Sequence, residues 1–133
     1  MFTLRDRTAL ALLGAVGTSL RPGALRDLSE CVLMLNRSGR VTQISRGSLA
    51  VMEVTTEADM IGQDWLDLWP DEARDPLREA LARSLEGHIT KYWAPHVQSD
   101  GTISQWDIRL SPVRDAASEV TSVIVVSRRM TTH

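Results

Sequence analysis

The stretch from His88 to Ser127 constrains this chain most, because it reads as three consecutive antiparallel strands separated by turn residues. In its middle, Trp106, Ile108 and Leu110 alternate with Gln105, Asp107 and Arg109, the period-2 pattern of a strand with one buried face. Asp100-Gly101 ahead of it is a hairpin turn, and Arg114 to Glu119 turns the chain again. His88 to Val97 is the strand before it, placed at a sheet edge by Pro95, which cannot donate to a ladder. Val120 to Val126 is the last strand, and Val123-Ile-Val-Val126 is apolar on both faces.

Two more strands come early. Cys31-Val-Leu-Met-Leu35 is an unbroken apolar run, the mark of a strand covered on both sides. Asn36-Arg-Ser-Gly39 turns the chain, and Arg40-Val-Thr-Gln-Ile-Ser45 returns as a more polar, edge-like strand. Between the two strand groups, Gly47 to Thr56 and Glu57 to Gly62 predict short helical turns, with Leu49, Val51, Met52 and Ile61 as apolar contacts. Trp65 to Pro70 predicts one more. The clearest helix follows, with Asp75 as its cap and Pro76 as its first residue. Leu77, Leu81, Ser84 and Leu85 line one face, and Gly87 ends it in a left-handed conformation.

Residues 3 to 20 also carry a helical pattern, with Leu10, Leu13, Gly17 and Leu20 on one face and Leu12 and Val16 beside them. Gly14 and Gly17 each cost about 1 kcal/mol against Ala in a helix interior. So short a helix persists only if it docks. Arg21-Pro-Gly23 then breaks it.

The first and fifth strands are the most continuously apolar and belong at the centre of a sheet. The second and third carry edge features. An α+β fold with a five-stranded antiparallel sheet in the order 2-1-5-4-3 satisfies both, with short helices on one face and the N-terminal helix capping the other. Two units follow: residues 1–26, an amphipathic helix and linker, and residues 27–131, the domain proper.

At 133 residues the chain has the size of one domain. A net charge of -2 offers no basic field for nucleic acid. No window approaches the eighteen or so apolar residues that a membrane span needs, and the run Leu10–Val16, flanked by Asp6 and Thr18-Ser-Leu-Arg21, is too short and too polar at its ends for a signal peptide. Cys31 is the only cysteine, which excludes an internal disulfide framework and points to a reducing cytoplasm.

The residues that set this strand order resemble those of the Per-Arnt-Sim (PAS) sensor domain. Leu33-Met-Leu-Asn-Arg-Ser-Gly-Arg-Val41 is similar to the family's opening hairpin, and Met60-Ile-Gly62 to the leucine-glycine after its short helices. Glu86-Gly87, Asp100-Gly101, Trp106, Pro112-Val-Arg-Asp115 and Ser127-Arg-Arg-Met-Thr131 continue the match over residues 27 to 131. Two positions depart from it. Ser45 or Arg46 stands where the family usually has Asn, and Arg129-Met130-Thr131 where it commonly has Asp-Ile-Thr.

The resemblance implies a sensory module of bacterial signal transduction, of the kind associated with histidine kinases and two-component systems, without catalysis of its own. Such a module binds a small ligand or relays a conformational change to an output domain or partner. A ligand-free dimerisation scaffold is the alternative. The aromatic wall candidates are Trp65, Trp69, Trp93 and Trp106, and the expected pocket comprises Trp69, Trp93, Tyr92, Leu77, Leu81 and Trp106. A homodimer is expected through Leu10, Leu13, Val16, Gly17 and Leu20. The light-oxygen-voltage branch uses a Cys near Trp65–Pro70, where none stands; Cys31 reads as a buried structural thiol. His88 and His96 are weak candidates for a haem ligand. No grouping of residues has metal-site spacing, and no cofactor is predicted. A ketosteroid-isomerase-like enzyme would need Tyr92 and Asp107 to face each other in one cavity.

Overall fold

The computed structural model describes residues 31–51, 56–97 and 100–130. Five antiparallel strands form one sheet: β1 (Cys31–Asn36), β2 (Val41–Ile44), β3 (Thr90–Val97), β4 (Ile103–Arg114) and β5 (Val120–Met130). Their order is β2-β1-β5-β4-β3, as the distribution of apolar and edge residues predicts. Two α-helices, α1 (Arg46–Val51) and α2 (Asp71–Leu85), and two 3-10 turns, Glu57–Asp59 and Trp65–Leu68, lie between β2 and β3. The segment read as an N-terminal helix, with Leu10, Leu13, Val16, Gly17 and Leu20, lies outside the described residues, as do Met52 and the side chain of Val51.

The β1–β2 hairpin is built by Asn36. Its side-chain Oδ1 accepts the N–H groups of Ser38 at 2.9 Å and Arg40 at 3.1 Å. Gly39 takes the positive φ of 79° that closes the turn, with Leu81 of α2 packed against it. The two central strands then set the sheet, with Leu33 opposite Val125 and Leu35 opposite Val123. β5 runs on to Met130, four residues past the expected end, because β4 offers it partners as far as Gln105. β3 lies on the edge, and Pro95 sits there opposite Gln105.

Alternation divides the side chains between two faces. On the inner face, Leu33, Leu35, Ile108, Leu110, Val123 and Val125 pack with Ala73, Leu77, Ala80 and Leu81 of α2 and with Met60, Trp65 and Trp69. Val32, Met34, Ile124 and Val126 alternate to the outer face, and they too are buried. Burial of a side chain such as Leu77 contributes roughly 1.5–3 kcal/mol. Of the apolar contacts expected between β2 and α2, Leu49 packs against the core but Ile61 is exposed; its neighbour Met60 holds the buried position.

Helix α2 begins at Asp71, four residues before the expected cap at Asp75. Pro70 stands at the N-cap in extended conformation, and its carbonyl accepts the Ala73 N–H at 2.9 Å. Asp71 and Glu72 favour this start, since acids in a first turn oppose the helix dipole. Arg74 reinforces it by donating Nε to the carbonyls of Leu66 and Trp69 at 3.1 and 3.0 Å. Pro76 is therefore inside the helix, where it lacks the N–H that would reach Glu72. At the other end, Gly87 has φ 109° and its N–H bonds to Ser84, while His88 N–H reaches back to Arg83. This is a Schellman closure. It explains why β3 starts at Thr90 instead of His88.

Candidate functional site

The candidate site is the layer between α2 and the inner face of β3, β4 and β5. α2 presents Ala73, Leu77, Ala80, Leu81 and Ser84 to it, one side of an amphipathic helix. The sheet presents Ala94, Trp106, Ile108 and Leu110, with Tyr92 half-buried at the margin. The turn Trp65–Leu68 and the residue after it close one end with two indoles. Trp65 and Trp69 meet edge to face, centroids 6.4 Å apart and ring planes at 76°.

Five of the six expected wall residues therefore share one place. Trp69, Leu77, Leu81 and Trp106 are buried in the same cluster, and Tyr92 packs against it. Trp93 does not join them. In β3 the inward position belongs to Ala94, opposite Trp106, so Trp93 points to the outer face opposite Asp107 and remains 66% exposed. A second indole cannot share the inner position with Trp106, and the small Ala94 makes room for it.

The expected pocket includes neither Ser84, which the sequence places on the apolar face of the helix, nor Trp65, an aromatic wall candidate. Both belong to the site. Ser84 is fully buried, yet its hydroxyl has no hydrogen-bond partner. A helical serine can bond back to the carbonyl four residues earlier. Here that carbonyl, of Ala80, accepts the Thr90 hydroxyl at 3.0 Å. The Trp65 indole N–H is likewise buried and without a partner. The sequence signal was a lone serine in register with Leu77 and Leu81.

Cys31 lies at the start of β1, opposite Ser127. Burial pushes its thiol up to about 11, against weaker lowering contacts from Ser48 and Ser127. Beside it, Ser45 Oγ accepts the Val32 N–H at 2.8 Å and lies 3.0 Å from Ser48 Oγ. These hydroxyls satisfy backbone groups where β1, β2 and α1 meet. A thiol so raised is protonated at neutral pH, which suits a buried structural group.

Tyr92 and Asp107 stand on opposite faces of the sheet, since Tyr92 pairs with Ile108 and Asp107 with Trp93. The acid–base pair that an isomerase would need is not assembled. His88 is exposed beside Gly87, and the side chain of His96 lies outside the described residues. Among the described residues, no three His, Cys, Asp or Glu side chains gather as a metal site, and no helix is long and apolar enough to cross a membrane.

Comparison with known proteins agrees with this architecture. Residues 25–133 match the family described as the PAS fold. No curated protein matches the chain. Among solved structures, a PAS domain from Colwellia psychrerythraea superposes with a TM-score of 0.71 at 14% identity, covering 85% of this chain and 96% of that one. The PAS-B domain of Drosophila melanogaster Cycle, with bound glycerol, gives 0.64 at 13% identity over 75% of this chain and 99% of its own. A PAS domain of an HTR-like protein from Haloarcula marismortui gives 0.61 at 12% identity over 94% and 99%. With the strand order, the helix layer and the match over residues 25–133 in agreement, the chain belongs to the PAS-fold family.

Proposed function

We propose that this chain is a non-catalytic sensory module, holding a small ligand between α2 and the inner face of the sheet. The observation that carries this reading is the convergence of Trp69, Trp106, Leu77, Leu81 and Tyr92 in one core, with Trp65 beside them. Aromatic and aliphatic walls around a few polar groups are the usual make-up of a small-molecule site. A ligand that prefers one packing of α2 on the sheet shifts the population of that packing, and an output domain or partner protein reads the change.

The N-terminal helix is proposed to cover the outer face and to dimerise there through Leu10, Leu13, Val16, Gly17 and Leu20. Burial of Val32, Met34, Ile124 and Val126 on the face opposite α2 supports this. A bacterial cytoplasm fits the single, buried, free thiol.

Mass spectrometry of the purified 133-residue chain under native and denaturing conditions tests the ligand, together with an absorption spectrum. Extra mass present only in the native spectrum is the expected result. Equal masses in both would leave a ligand-free dimerisation scaffold. Removing residues 1–20 and measuring mass in solution tests the interface: a monomer is expected, and a stable dimer would defeat it.

A further inference from the structure

We infer that the ligand of this core is a neutral, largely apolar molecule carrying a hydrogen-bond acceptor, and that Ser84 and Trp65 recognise that acceptor. The inference rests on the proposed ligand site and names its chemistry. Two observations carry it. First, among the described residues no Asp, Glu, Lys, Arg or His is buried in the core between α2 and the sheet, and Arg129, opposite Trp106, is exposed. A carboxylate, phosphate or ammonium there would be desolvated with no opposite charge to offset it. The nearest acid on β4, Asp107, alternates to the outer face. A charged ligand is therefore disfavoured within the buried layer.

Second, Ser84 Oγ on α2 and Trp65 Nε1 in the turn beside it are buried and without partners. An indole N–H only donates, and a hydroxyl donates as well as accepts. Each can donate to a carbonyl, ether or hydroxyl oxygen on the ligand. Their two segments approach each other through Gly39. The backbone N–H of Trp65, not its indole, bonds to the Gly39 carbonyl at 3.0 Å. Leu81 packs on Gly39, and Ser84 follows one turn later on the same helix face. The Ala80 carbonyl, which a serine at position 84 could otherwise bond, accepts the Thr90 hydroxyl at 3.0 Å. Thr90 thereby keeps the Ser84 hydroxyl available.

A matched pair of probes tests this, 1-octanol against octanoate, each titrated into the full chain at neutral pH. Intrinsic tryptophan fluorescence and thermal denaturation are read together. Saturable binding of 1-octanol with a rise in melting temperature is expected, with octanoate at least about tenfold weaker because its charge must be desolvated. Ser84→Ala, which suits a helix interior, should weaken 1-octanol roughly fivefold by removing one neutral hydrogen bond. Trp65→Phe should do the same. Equal binding of both probes, no binding of 1-octanol, or unchanged affinity in both variants would overturn the inference. The sensory reading would survive any of these if native mass spectrometry still found a bound molecule, and would fall separately if it did not.

Discussion

Arg114, near the end of β4, reaches across to Gly87 at the end of α2, its Nη2 donating to the Gly87 carbonyl at 3.4 Å. The same guanidinium donates Nη1 to Ser118 at 2.9 Å, so one side chain ties the helix terminus to the β4–β5 turn. A Cβ added at Gly87 would collide with that guanidinium, and φ there is 109°. Gly87→Ala should therefore cost roughly 1–2 kcal/mol from the left-handed backbone alone, read as a lower urea midpoint. Stability equal to the parent chain would show that Arg114 and the turn move aside freely.

Truncation separates the core from the exposed face. Leu77 is fully buried against the sheet, so Leu77→Ala should destabilise by about 2–5 kcal/mol. Trp93→Ser, on a side chain 66% exposed, should change stability by no more than about 0.5 kcal/mol. Chemical unfolding of both variants checks the pair. A large loss in the Trp93 variant would mean that the ring is covered in solution.

The same contrast is optical. Trp65, Trp69 and Trp106 are buried and Trp93 is not. Iodide should quench one emitting population in the native chain, and Trp93→Phe should abolish most of that quenching. Persistent quenching in the variant would place another indole at the surface.

Cys31 gives the fold an alkaline limit. Burial raises its thiol from 9.0 to about 11, so the folded chain holds this proton more tightly than the unfolded one. Its contribution is complete below pH 9.0 and is lost as pH rises toward about 11. The loss across that window is of order 2–3 kcal/mol. Cys31→Ala should be less pH-sensitive there than the parent chain, by unfolding titrations at pH 8 to 11. Parallel pH curves would show that the thiol is not desolvated.

Strand order and the burial of Trp106, Ile108 and Leu110 were legible because period-2 alternation and continuous apolar runs report directly on burial. The start of α2 was not. Pro70 and Pro76 both suit a helix entrance, and the choice falls to Arg74, whose bonds to Leu66 and Trp69 are tertiary. Tyr92-Trp93-Ala94 likewise offers two large side chains, and only the register with Trp106 decides which faces inward. The Ser84 hydroxyl was hidden for a similar reason, since its release depends on Thr90 docking onto Ala80.

The most direct test of the ligand site follows the four indole N–H signals of the 15N-labelled chain by NMR, assigned by single Trp→Phe variants, while 1-octanol is added. The expected result is a saturable shift of Trp65 and of its neighbours Trp69 and Trp106, with Trp93 unmoved on the outer face. A shift confined to Trp93, or none at Trp65, would contradict a ligand held between α2 and the sheet.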